Sequence, residues 1–156
     1  MKGSNYDHDI LGYTVRLNTV NAAIGREQLK LLPEWNERRR AIAAMYDRRL
    51  RRKGDLKLPP APSEEIMPIY HLYVVRSNRR EELANFLKQK EIQTAFHYPV
   101  PIHLQPLYKQ LFGYKGGEFP KAEKACAEVI SLPMYPGLTD EQVGYVCDSI
   151  AEFFGR

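Results

Sequence analysis

The chain is poor in the residues that covalent and metal-built scaffolds need. It has 2 cysteines and 4 histidines in 156 residues. Cys126 and Cys147 sit in separate helical patterns, without CxxC spacing or a companion histidine cluster, so neither a zinc site nor a disulfide framework is indicated. Buried free thiols are expected, and no metal. No apolar run is long enough to span a bilayer, and Met1-Lys2-Gly3 does not open a signal peptide. A cytoplasmic protein with no membrane partner is therefore expected. There is also no internal repeat.

What is present suits one globular domain with a real core: 44% of residues are hydrophobic and 27% charged. The net charge of +4 hides an asymmetry, since residues 1–57 hold 13 Lys/Arg against 7 Asp/Glu and residues 58–156 hold 10 against 12. The excess lies in Arg38-Arg39-Arg40 and in Arg48, Arg49, Arg51, Arg52 and Lys53. A helix spreads these over several faces, and no aromatics are interleaved with them. A solvated helix surface explains that better than a nucleic-acid footprint.

Along the chain, residues 1–14 read as an irregular lead-in. Leu17, Val20, Ala23, Ile24 and Leu31 follow helical spacing to about Leu32, with Asn18 or Thr19 as cap. Pro33 suits the first position of a second helix, whose Trp35, Ile42, Met45, Tyr46 and Leu50 run towards Gly54. Together they predict a long bent arm over 15–54. Four prolines in 55–68 mark a linker, and 69–156 then reads as a small α/β body. Its expected strands are 69–76, with His71 pairing, 92–97, and an edge or extended crossing at 130–136. Its helices are 79–90, 107–112 and 121–129, and a last one opened by a Thr139/Gln142 capping box. The fold class is thus α/β: a helical arm, then a small sandwich of about three short strands with helices packed on them.

The stiffest stretch is Phe96-His97-Tyr98-Pro99-Val100-Pro101-Ile102-His103-Leu104-Gln105-Pro106. Its prolines fix φ at alternate steps and withhold donors, so the segment is extended and presents side chains. Two imidazoles on a rigid loop at a strand's C-terminal end suit a polar small-molecule site. They suit equally a corner whose aromatics pack against neighbouring helices.

Five segments carry a resemblance: GYTVRLNTVNAAIGREQL, W-N-E-R-R-x-A-I-A-A-x-Y, YHLYVVR, IQTAFHYPVPIHLQPLY and FPKAEKACAEVISLPMYPGLTDEQ. In order and spacing they resemble the DegT/StrS family of pyridoxal-phosphate-dependent sugar aminotransferases. The likeness covers essentially the whole chain but only the C-terminal, smaller domain of a fold-type-I member. It implies cytoplasmic homodimers that use pyridoxal 5'-phosphate to aminate nucleotide-linked keto-sugars, here in the branch that aminates the 3-position. Transamination needs a lysine that forms an aldimine and a carboxylate on the pyridinium nitrogen. In the family both lie upstream, and none of the chain's ten lysines stands in a matching context.

No catalytic residue is therefore expected here and no covalently bound coenzyme. The resemblance places Thr14 and Arg16 at the cofactor phosphate, with Thr14 where Asn is usual, and His97, Tyr98 and His103 on the substrate side. An arm stripped of its large domain implies a homo-oligomer. The alternative is a non-catalytic stand-alone protein that uses the same fold for oligomerisation or partner binding.

Overall fold

The computed structural model describes residues 13, 15–63 and 65–155. Most of the expected lead-in, Thr14 included, lies outside them. The elements are α1 (Thr19–Leu50), β1 (Tyr73–Arg76), α2 (Arg80–Gln89), a 3₁₀ turn (Ile102–Leu104), α3 (Pro106–Phe112), α4 (Pro120–Glu128), β2 (Val129–Leu132) and α5 (Asp140–Phe153). This is a long helix followed by helices on a small antiparallel sheet, the architecture the sequence predicts.

Asn18 starts α1, its side-chain oxygen accepting the Asn21 N–H at 2.8 Å. The helix then runs 32 residues with Pro33 inside it. The two expected helices are one element. Proline withholds one N–H, the one aimed at the Leu29 carbonyl, and strong helix formers on either side continue the ladder. The chain divides after this residue into two compact units, Met1–Pro33 and Glu34–Arg156. In the first, Val20, Ile24, Leu29, Leu31 and Leu32 are exposed. In the second, α1 gives Ile42, Ala43, Tyr46 and Leu50 to the core.

That core is closed by β1, β2, Leu83 and Leu87 of α2, and Val143, Val146 and Ile150 of α5. The strands pair antiparallel from Tyr73↔Leu132 to Arg76↔Val129. Single bridges, Lys57↔Arg76 and Ala95↔Ser131, extend the sheet on either side. Three expected strands thus become two and a bridge. The Ile92 N–H is spent on the Leu87 carbonyl, and Pro99 and Pro101 lack donors, which leaves Ala95 alone to pair. Nor does His71 pair in a strand. Tyr70 has φ of 48°, and Arg39 takes the carbonyls of Tyr70 and His71 at 3.4 Å, so β1 begins only at Tyr73. β2 is flanked on both sides and stops before Pro133.

The arginines of α1 correct a second expectation. Arg38 pairs with Asp140 at 2.8 Å and donates to the Leu138 carbonyl; Arg39 also holds the Met134 carbonyl at 3.1 Å; Arg49 meets Asp148 at 2.7 Å. The correction is partial: Arg38 and Arg39 are half-buried ties between α1 and the segment leading into α5, whereas Arg49, like Arg48, Arg51 and Arg52, is exposed, as a solvated helix surface would be.

Tyr46 and Tyr73 pack at 4.9 Å between ring centroids, with their planes tilted by 37°. The Tyr46 hydroxyl donates to the Pro133 carbonyl at 2.9 Å and that of Tyr73 to Asp47 at 2.5 Å. Burial pushes both phenols well above their ordinary pKa, and at Tyr73 the Asp47 carboxylate adds to it. Cys147 is buried, with its thiol pushed up to about 11 by desolvation, and Cys126 is half-buried. The capping box holds in both directions: Thr139 Oγ1 accepts the Gln142 N–H at 3.2 Å and Gln142 accepts the Thr139 N–H at 2.9 Å. Gly54 is at φ of 51°, and a Cβ there would run into the Phe154 ring. Among the described residues no helix is long and apolar enough to cross a membrane.

Candidate functional site

Ser131 is held from both sides of its strand. It lies opposite Val74 of β1, while its N–H and carbonyl exchange bonds with Ala95 at 2.7 and 3.3 Å. Two residues beyond Ala95 the chain turns out of the sheet, and His97 sets Nδ1 2.9 Å from the buried Ser131 Oγ. The peptide to Tyr98 is cis, and the two rings stand edge to face at 5.5 Å. Tyr98 itself is 72% exposed. The strand end expected for this pair is absent: His97 and Tyr98 instead follow a single bridge at Ala95.

The expected extended run is instead bent at His97, Pro99 and Val100, and Pro101, itself extended, opens the 3₁₀ turn by its carbonyl accepting the Leu104 N–H at 3.0 Å. This turn drives His103 inward to 8% exposure. Its Nε2 meets Glu123 Oε1 at 2.9 Å, and its ring lies edge-on to Phe119 at 4.8 Å and Tyr114 at 5.8 Å. Glu123 also accepts the N–H groups of Gly117 at 2.8 Å and Phe119 at 3.2 Å. Glu118 accepts those of Lys115 and Gly116, both at 2.8 Å. Gly116 and Gly117, at φ of 110° and 95°, permit the tight loop that aims these amides inward.

The electrostatics follow from these donors. The His103 hydrogen bond, then the Gly117 amide, hold the Glu123 carboxyl below its usual range; the Lys115 amide leads the same effect at Glu118. Ligand atoms of His103, Glu118 and Glu123 lie within 4.8 Å of one another, close enough for a cation. Both carboxylates already accept backbone N–H donors. The cluster acts as a clasp on residues 115–119. A third carboxylate, Glu128, is 5% exposed and bonded to Arg76 at 2.6 Å. Burial raises its pKa, but the Arg76 guanidinium together with the Lys124 and Lys57 ammonium groups outweighs this and the net shift is downward.

The clasp and the proline segment wall a cavity of about 530 Å³, lined by Tyr98, His103, Tyr108, Phe112, Tyr114 and Phe119 among others. It suits a flat or apolar moiety with a polar edge at Tyr98 and His103. Tyr98 and His103 share this cavity, whereas His97 sits at the sheet's end outside its lining. Arg16 is exposed and belongs to the other compact unit, and Thr14 falls outside the described residues. A covalently anchored pyridoxal phosphate needs a lysine amine in the site. No lysine lines this cavity. Every described lysine is exposed or half-buried, and Lys90, in the wall of a larger cavity of about 770 Å³, has its ammonium on Glu152 at 2.9 Å. The described residues do not fit that anchoring role.

Sequence reasoning passed over Ser131, Glu118 and Glu123. Ser131 had a signal, being the one polar side chain in Val-Ile-Ser-Leu. Glu118 and Glu123 had none that separates them from ordinary surface acids.

The sequence pattern of the DegT/DnrJ/EryC1/StrS aminotransferase family matches residues 1–151. The chain is 45% identical to a pleiotropic regulatory protein of Geobacillus stearothermophilus, over 96% of this chain and 40% of that protein. It is 39% identical to dTDP-3-amino-3,4,6-trideoxy-alpha-D-glucose transaminase of Streptomyces venezuelae, over 97% of this chain and 39% of the relative. The structure superposes on that of S. venezuelae DesV in complex with a ketimine intermediate with a TM-score of 0.89 and 37% identity, covering 99% of this chain and 41% of the other. The chain therefore spans about 40% of the length of these relatives.

Proposed function

Because the chain belongs to the DegT/DnrJ/EryC1/StrS aminotransferase family, we propose that it is the C-terminal, substrate-side portion of a nucleotide-sugar aminotransferase, without the lysine that anchors the coenzyme. Proteins of this family use pyridoxal 5'-phosphate, which carries the amino group and serves as the electron sink. This chain contributes the surface against which the sugar nucleotide is held. The observation that carries the reading is the convergence of Tyr98 and His103 on one aromatic cavity, with His97 fixed at the neighbouring sheet end.

In this reading His97, Tyr98 and His103 contact the nucleotide-linked keto-sugar, and Arg16 pairs with an anionic group. The dTDP-linked 3-amino sugar in the name of the Streptomyces relative supports amination at the 3-position. A homo-oligomer assembled through the exposed stripe of Val20, Ile24 and Leu31, in a cytoplasmic setting, completes the proposal.

The test has two arms. Incubation with pyridoxal phosphate followed by desalting leaves no aldimine absorbance; a retained stoichiometric band would overturn the missing-lysine claim. Calorimetric titration with dTDP-glucose shows binding that His97→Ala weakens by about tenfold, a loss of about 1.4 kcal/mol. Unchanged affinity in that variant would remove His97 from the site.

A further inference from the structure

Ser131 is 4% exposed, on a strand otherwise made of Val129, Ile130 and Leu132. Its backbone donor and acceptor are spent on Ala95, so only the hydroxyl remains. Among the described residues, the one side-chain partner of that hydroxyl is His97 Nδ1 at 2.9 Å. A hydroxyl brings a single proton, and a buried O–H left without an acceptor is strongly disfavoured. No other acceptor is offered to it by the described residues. The proton therefore goes to Nδ1, which must carry a free lone pair.

A neutral imidazole with an acceptor at Nδ1 has its own proton on Nε2. Among the described residues Nε2 has no hydrogen-bond partner. We infer that Ser131 is a positioning residue that locks His97 in its Nε2–H tautomer, so that the imidazole meets its ligand as a hydrogen-bond donor. The complementary atom is an oxygen acceptor: a hydroxyl, carbonyl or phosphate oxygen of a sugar nucleotide. The ligand half rests on the proposed substrate-side role of His97; the tautomer half does not.

Geometry supports the lock as well as the proton count. The bridge at Ala95 places the backbone of residue 95 directly opposite Ser131, and His97, two residues on, falls on the diagonal that long side chains reach across a sheet. The hydroxyl is seated by the sheet, and the ring reaches it from the first bend beyond the bridge.

Proton-detected nitrogen-15 spectra of the imidazole side chains, with His97→Ala used to assign the signal, decide the matter. The intact chain shows His97 with an unprotonated Nδ1 and a protonated Nε2. In Ser131→Ala the preference collapses towards a mixture, while backbone amide spectra show the fold retained. A His97 found with Nδ1 protonated, or a tautomer unmoved in Ser131→Ala, overturns the inference. The intact chain alone settles the first point, so an unfolded variant does not blunt the test. Titration with dTDP-glucose adds a ligand readout: Ser131→Ala weakens binding several-fold, and equal affinity overturns the donor role. If the predicted tautomer is present and the intact chain binds no dTDP-glucose, the sugar-nucleotide reading fails and the lock stands.

Discussion

From Thr19 to Pro33 the long helix leaves Val20, Ile24, Leu29, Leu31 and Leu32 exposed, whereas from Glu34 to Leu50 it buries Ile42, Ala43, Tyr46 and Leu50. The two stretches share an element, a periodicity and a similar share of apolar residues. They differ in what covers them. Helical stability in proteins comes mainly from packing an apolar face, and only the second stretch has its face packed by the described residues. The comparison teaches that a helix can be legible over its full length while its energetics are concentrated in one half. It also explains why Val20, Ile24 and Leu31 call for a second surface.

The sharpest break in the comparison is truncation at matched residues. Ile42→Ala removes a side chain that is 0% exposed, and it should destabilise the chain by about 2–5 kcal/mol in urea unfolding. Ile24→Ala, at a position 53% exposed, should change the unfolding free energy of the chain, diluted until it is monomeric, by no more than about 0.5 kcal/mol. Equal losses at that dilution would mean that the first stretch is packed within a single chain.

Acid comes next in size, and it acts on the second unit. The folded-state pKa values of Glu118, Glu123 and Glu128 lie below the ordinary carboxylate range. Each such group contributes stability that is fully present above the unfolded-state pKa and is lost as pH falls through the depressed folded value. Thermal unfolding should therefore be flat near neutrality and fall on acidification below the ordinary carboxylate pKa. Glu123→Gln should flatten part of that fall, since it keeps an oxygen acceptor for His103, Gly117 and Phe119 but removes the carboxyl group that titrates. An acid limb identical to that of the intact chain would dissolve the clasp.

How much of this was readable from residues alone depends on whether the cause was local. The Thr139/Gln142 box and the short helix expected over 107–112 are set within a few residues, and both appear where the sequence puts them, the latter as Pro106–Phe112. Pro33 misled because a single proline weakens a helix without ending it when both flanks are strong. The strand at 92–97 misled because β-propensity cannot say whether a partner's ladder is long enough. The arginines at 38 and 39 misled because their targets lie far along the chain, at Leu138, Met134 and Asp140. At the site, His97 and His103 were legible from the proline frame around them. Ser131 and Glu123, which hold them, belong to segments that meet that frame only in three dimensions.

Two caps sharpen the comparison further at a smaller scale. Thr139→Ala removes one arm of the α5 box, and it should lower global stability by about 1 kcal/mol because α5 is part of the core. Asn18→Ala removes the same kind of bond from α1, but at an end with no packed face. Its expected signature is faster amide exchange at Asn21 and Ala22 with no movement of the global unfolding midpoint. A shift of that midpoint by as much as the Thr139 variant would show that the two ends of the molecule unfold as one.

The smallest expected effect on folding carries the most about assembly. Ile24→Ser leaves a lone chain within about 0.5 kcal/mol of its parent, because an exposed side chain has little burial to lose. If the stripe of Val20, Ile24 and Leu31 is the seam between copies, each such residue gains about 1.5–3 kcal/mol from full burial there. Sedimentation equilibrium would then show the oligomer weakened by roughly tenfold or more in Ile24→Ser, with the monomer's unfolding unchanged. An association constant untouched by this substitution would move the seam off this face of α1, and the exposed half of the helix would need another kind of partner.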